Sequence, residues 1–163
     1  MRLEGSCHCR AVQFSVEAHS PVPFMHCHCS ICRKTAGSGG YAINLGADAA
    51  TLTVSGQEHV AIYHAVMHEE AGQRATRSPA GRHFCRLCGS ALWLWDPRWP
   101  ELVHPHASAI DTPLLRPPEV VEMGLAWAPS WVDVPDGPGH PHFAEFPTES
   151  LEDWHKRHGL WSD

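Results

Sequence analysis

Short alternations of apolar and polar positions, broken by glycine, proline and polar clusters, run through most of this chain, and long helical periods are scarce. From Val12 to Glu17 the alternation is strict, which predicts a strand with one face buried and the other wet. Tyr41-Ala42-Ile43-Asn44-Leu45, entered through Ser38-Gly39-Gly40, predicts another strand, and Ala91-Leu92-Trp93-Leu94-Trp95 predicts a buried one. Leu52-Thr53-Val54 and Val60-Ala61-Ile62-Tyr63 predict a strand pair around a turn at Gly56. Residues 67–82 are almost wholly polar and predict a long loop, either a lid over a site or a connection without a role. The one predicted helix lies at 148–160. There Ser150 is placed to cap, Glu152 and Asp153 occupy the first turn, Lys156, Arg157 and His158 the last, and Gly159 terminates, all matching the helix dipole. Leu151 and Trp154 are expected to face the body of the protein.

These elements predict a mainly β fold in one domain spanning 1–163. A chain of 163 residues can bury about two-thirds of its unfolded surface, so it does not need metal merely for being small. The 13 Gly and 14 Pro favour short strands and turns over helices. With 12 Lys+Arg against 18 Asp+Glu, a formal charge of -6 and no dense basic run, nucleic acid is not an expected partner, because such binding rests on neutralising phosphates. No apolar run reaches the length of a membrane span, and Met1 to Gly5 lacks the apolar stretch of a signal peptide. A reducing cytoplasm, where thiols stay available to metal, is the expected location.

All seven cysteines fall into three clusters: Cys7-x-Cys9, Cys27-x-Cys29-x-x-Cys32 and Cys85-x-x-Cys88. Such spacing suits chelation of a tetrahedral ion, whereas a Cys-x-Cys pair can hardly close on itself as an unstrained disulfide. Two pairs make a closed four-thiolate site, and the triad leaves one position for water or substrate or for a histidine that would close it. His8 and His28 lie between ligands, where the chain turns the intervening side chain away, which leaves them the role of proton relay. The pairs His104/His106, His140/His142 and His155/His158 have metal-capable spacing but no adjacent Cys or carboxylate, and no site is assigned to them. The seven tryptophans are assigned to core and rim packing. Arg33 and Lys34 directly follow the triad, placed either to hold carboxylates of an anionic substrate or to balance the thiolates, and Arg82 is a weaker candidate of the same type.

Three motifs in order, Gly5-Ser6-Cys7-His8-Cys9-Arg10-Ala11-Val12-x-Phe14, Cys27-His28-Cys29-Ser30-x-Cys32-Arg33-Lys34-Thr35 and Phe84-Cys85-x-x-Cys88-Gly89-Ser90, closely resemble the glutathione-dependent formaldehyde-activating family, which shares its domain with centromere protein V. The resemblance covers residues 3 to 147, leaving 148–163 as a helical extension. It implies an Mss4-like β-tent of small antiparallel sheets around two Zn²⁺, one structural on Cys7, Cys9, Cys85 and Cys88 and one catalytic on Cys27, Cys29 and Cys32. It implies a small-molecule thiol and an aldehyde as partners, with glutathione as co-substrate and S-hydroxymethylglutathione as product, a carbon–sulfur lyase reaction in the reverse sense. Arg33 and Lys34 are then placed to grip the glutathione carboxylates. His106-Ala107-Ser108-Ala109-Ile110-Asp111 matches the family's small-residue stretch ending in Asp only loosely. A non-catalytic zinc-stabilised binding module is the alternative that the same fold allows.

Overall fold

The computed structural model describes residues 1–67 and 75–162. In chain order its strands are β1 (Arg2–Ser6), β2 (Gln13–Glu17), β3 (Met25–Cys27), β4 (Ala42–Ile43), β5 (Ala47–Asp48), β6 (Thr53–Ser55), β7 (Val60–Met67), β8 (Thr76–Cys85), β9 (Ala91–Trp95), β10 (Leu102–Pro105), β11 (Val121–Met123) and β12 (His142–Phe143). Among the described residues two α-helices accompany them, α1 (Ser30–Ala36) and α2 (Leu151–Arg157). The strands form three small sheets in the orders β1-β2-β6, β5-β10-β9-β8-β7 and β12-β11-β3-β4. The mainly β expectation is met, including the short C-terminal helix. The sheets are not all antiparallel, however: β11 runs parallel to both β3 and β12.

The first two sheets face one another across the main core, where Leu3, Phe14, Val16, Leu92, Trp93 and Val103 are buried. Phe14 meets Trp93 edge-on with ring centroids 5.2 Å apart, the favourable arrangement for two ring quadrupoles. A second cluster of Val22, Phe24, Val121 and Trp154 ties α2 to the third sheet, with the Phe24 and Trp154 rings stacked at 3.8 Å. Ser150 caps α2 as expected, its Oγ accepting from the Asp153 N–H at 3.0 Å, and Gly159 follows in the left-handed region at φ 66°. His155 is fully buried in the same cluster, donating from Nδ1 to the Leu151 carbonyl and accepting the Val22 N–H at Nε2. Burial pushes its pKa down, consistent with a neutral ring that carries both bonds.

Several expectations are corrected. β6 and β7 are not partners: β6 pairs with β2 and β7 with β8, so the turn at Gly56 carries the chain from one sheet to another. Of the expected 67–82 loop, residues 68–74 lie outside the described residues, Met67 ends β7, and Thr76 to Arg82 belong to β8. The polar composition misled because β8 outruns β9, which pairs only with Gly81 to Phe84, and a register shift between His64 and Val66 accommodates the stretch around Pro79. The predicted 41–45 strand shrinks to Ala42–Ile43, and the triad lies not in a loop between strands but across the end of β3 and the start of α1.

Candidate active site

The first and third cysteine clusters sit on two tight turns that face each other. After β1 the chain reverses through a bond from Arg10 N–H to the Cys7 carbonyl (2.9 Å), with Arg10 at φ 60°, and the Val12 N–H points at Cys7 Sγ from 3.2 Å. Between β8 and β9 the Gly89 N–H reaches the Cys85 carbonyl (2.8 Å) with Gly89 at φ 78°, a left-handed conformation that glycine adopts without strain. The His8 N–H bridges the two turns to Ser90 Oγ at 3.1 Å. The Sγ atoms of Cys7, Cys9, Cys85 and Cys88 all lie within 4.8 Å of one another. Two of the separations are 3.5 Å (Cys7 to Cys9) and 3.8 Å (Cys9 to Cys85), close to the ~3.8 Å edge of a tetrahedron with arms of about 2.3 Å. A four-coordinate thiophilic ion fits this set. The two clusters meet although their strands belong to different sheets.

The Sγ atoms of Cys27, Cys29 and Cys32 form a second such group. Cys27 ends β3, Cys29 caps α1 by accepting the Cys32 N–H at Sγ (3.4 Å), and Cys32 lies in the first turn. Three thiols this close cannot all ionise by themselves. Hydrogen bonds from Cys27 and Cys32 hold Cys29 down to about 2, while its two sulfur neighbours drive Cys27 up, an imbalance that a cation among them removes. Among the described residues no His, Asp or Glu joins the three sulfurs as a fourth donor. Two donors outside the group point at Cys32 Sγ, Arg82 Nη2 at 3.6 Å and Asn44 Nδ2 at 3.8 Å, and Arg82 Nη1 also reaches Thr35 Oγ1 at 3.5 Å.

His28 turns away from the sulfurs, as the spacing predicted, and its destination is informative. Its Nε2 lies 2.7 Å from Oε2 of Glu122, a carboxylate with 0% exposure that also meets His26 Nδ1 at 3.1 Å and His140 Nδ1 at 3.5 Å. Burial alone would raise the Glu122 pKa, but hydrogen bonds from the His26 and His28 imidazoles outweigh it and the net shift is downward. This pairing and the His28 N–H bond to the Met123 carbonyl (2.9 Å) clamp Cys27-His28-Cys29 against β11. Gly124 completes the clamp at φ 72°, where an added Cβ would lie 2.9 Å from the Cys29 backbone nitrogen. Gly124→Ala is therefore expected to cost about 2 kcal/mol in strain alone and to disturb the triad, read as a lower melting temperature together with weaker metal retention in a chelator titration.

A chamber of about 300 Å³ opens beside Arg82, lined also by Thr35, Tyr63, His83, Phe84, Gly89, Ala91 and His106. It shares Thr35, Gly89 and Ala91 with a polar groove of about 660 Å³ that Arg10, Arg33, Lys34 and several serines line. The structure thus brings Arg33 and Lys34 onto a groove continuous with the chamber by the triad, and raises Arg82 from a weak candidate to a direct neighbour of Cys32. A cavity of similar size and more apolar walls, with Trp99, Leu102, Leu151 and Trp161, lies under the C-terminal segment and touches neither cysteine group.

Sequence reasoning missed Arg10, Asn44, His106 and Glu122. Glu122 carried a signal as a lone carboxylate inside the apolar run Val120-Val121-Glu122-Met123, and His106 carried one in its spacing from His104, which was assigned no site. No helix of the described residues is long and apolar enough to cross a membrane.

Residues 2–123 match the model of the family described as glutathione-dependent formaldehyde-activating enzyme. A curated protein of Halomonas elongata, provisionally named a glutathione-dependent formaldehyde-activating enzyme, is 56% identical over 160 residues, covering 98% of each chain. A crystal structure of a Rhodobacter sphaeroides protein shares 28% identity, covering 76% of this chain and 100% of that one with a TM-score of 0.52. By the family match over three-quarters of its length and the near full-length relative, this chain belongs to the glutathione-dependent formaldehyde-activating family.

Proposed function

We propose that this protein is a zinc-dependent carbon–sulfur lyase that joins the thiol of glutathione to formaldehyde, and that it runs the cleavage when the adduct is in excess. The reading rests on one observation: three cysteine sulfurs without a fourth donor among the described residues, beside a chamber that continues into a cationic groove. In this assignment Cys7, Cys9, Cys85 and Cys88 hold a structural Zn²⁺, and Cys27, Cys29 and Cys32 hold a second. Bound to three thiolates, that ion would supply a centre at which a substrate thiol gives up its proton near neutral pH, a change that contributes about 2 kcal/mol of activation to a thiol of ordinary pKa.

The chain's own groups do the rest. Arg10, Arg33 and Lys34 bind the two carboxylates of glutathione along the groove, which fixes the direction from which its thiol enters the chamber. Arg82 and Asn44 donate to Cys32 Sγ and hold that sulfur at its position, as outer groups do around a metal ligand. The Glu122–His28 pair keeps Cys27 and Cys29 from rotating out of the triad. Orientation of a bimolecular addition within a walled chamber provides the larger part of the acceleration.

NMR exchange spectroscopy between glutathione and its formaldehyde adduct, with and without zinc-loaded protein, tests the proposal, because the spontaneous addition defeats end-point assays. Acceleration proportional to protein concentration is expected. Arg33→Ala should raise the thiol concentration for half-maximal exchange about tenfold, the scale of one charge-assisted hydrogen bond, and leave the limiting rate nearly unchanged. Exchange at the spontaneous rate with fully loaded protein sinks the proposal.

A further inference from the structure

His106 is 2% exposed, it lines the chamber beside Arg82, and its Nδ1 is buried with no hydrogen-bond partner. Buried polar nitrogens are almost always paired, because an unpaired one forfeits the hydrogen bonds that water gave it. Its neighbour across an isolated antiparallel bridge is Asn44, which spends its amide N–H on Cys32 Sγ and leaves Oδ1 buried and unpartnered. Two unmet polar groups therefore lie side by side next to the triad. The backbone explains why His106 stays there: its own N–H is bonded to the Leu92 carbonyl at 2.9 Å, and its carbonyl accepts the Ala109 N–H at 2.8 Å, so the residue is pinned between β9 and the turn that follows β10.

We infer that His106 binds the oxygen of the aldehyde, donating a ring N–H to it while the carbon–sulfur bond forms. The inference rests on the thiol–aldehyde reading of the site. In the step, the sulfur bonds to the carbonyl carbon, the carbon–oxygen π pair moves onto oxygen, and the proton given up by the thiol ends on that oxygen, so neither oxidant nor reductant is needed. The donor has to keep one N–H and remain uncharged, so that it stabilises the oxygen without surrendering its proton early. Burial, with the Arg82 and His104 charges adding to it, holds the His106 pKa down to about 3, which keeps the ring neutral through the physiological range. A neutral imidazole that polarises a carbonyl is an established way to stabilise a developing oxyanion. His83, on the same chamber wall, also has a buried Nδ1 without a partner but is less suited: its ring is fixed in a stack on Trp93 with centroids 5.1 Å apart.

The test compares His106→Leu, which removes the donor, with His106→Gln, which keeps an amide N–H, in the zinc-loaded protein. Exchange NMR should show kcat/KM for the aldehyde falling about 100-fold or more in His106→Leu and by less than tenfold in His106→Gln. Calorimetric affinity for glutathione and the number of zinc ions per chain should match wild type in both, readouts that a merely structural role would move. Wild-type exchange in His106→Leu overturns the inference alone, as does an equal loss in both variants. No acceleration by wild-type protein, in contrast, overturns the thiol–aldehyde reading and the inference with it.

Discussion

Replacing Cys85 with serine is expected to abolish cooperative folding. Cys85 has 0% exposure and its sulfur lies 3.8 Å from that of Cys9, at the point where the turn after β1 meets the turn between β8 and β9. In the proposed assignment a metal there joins the first two sheets, whose inner faces form the main core. A structural four-sulfur zinc site contributes apparent free energies of about 10–16 kcal/mol, as large as the ~5–15 kcal/mol that holds a whole domain together. A serine hydroxyl does not ionise at neutral pH and would leave three close sulfurs around a weakly held ion. Two-thirds burial by a chain of this length is not enough to offset that loss, because the core and the conformational entropy it opposes nearly cancel. Circular dichroism melting of Cys85→Ser, alongside wild-type protein stripped with a strong chelator, should show no sharp transition in either. A cooperative melt within a few degrees of wild type would remove the structural role from this cluster.

The sites were legible in the sequence to unequal depth, for physical reasons. Cysteine spacing is local, so two chelating pairs and a triad could be read directly; that the two pairs meet came from counting ligands and from the resemblance, and the structure brings those sulfurs together. The capped helix at the C-terminus was legible because capping and dipole rules also act over a few residues. What failed was long-range pairing. Nothing in Leu52 to Val54 says that β6 pairs with β2 rather than with the strand after Gly56, since an alternating pattern fixes which face is buried but not against whom. α1 was hidden because Ser30 to Ala36 is only two turns long and its cap is a cysteine sulfur instead of a hydroxyl or carboxylate. Asn44, Arg82 and His106 come from three separated segments and converge on Cys32 or its chamber only when the second and third sheets are in place. Side chains that serve a site from a distance leave no mark on their neighbours in sequence.

Cys29→Ser separates the two proposed metal sites and should give the opposite pattern to Cys85→Ser: a folded protein with about half the metal and almost no activity. Cys29 is half-buried and its sulfur accepts the Cys32 N–H at the start of α1. Serine at a helix N-cap accepts the same bond at least as well, so the local backbone should survive and the protein should still melt cooperatively, at a temperature lowered by the loss of the second ion. The second cluster cannot tolerate the change in the same way. With one thiolate gone, two sulfurs remain where the described residues offer no substitute donor, and the Arg82 and Asn44 contacts to Cys32 then hold a thiol rather than a metal ligand. Losing an outer partner of a metal ligand commonly costs 10- to 100-fold in affinity or activity, so losing the ligand itself should cost at least about 100-fold in exchange rate. Metal analysis, thermal melting and exchange NMR on one preparation make the outcome decisive. Full metal content with wild-type exchange would detach the triad from catalysis, and collapse of the fold would show that both clusters, not one, hold the sheets together.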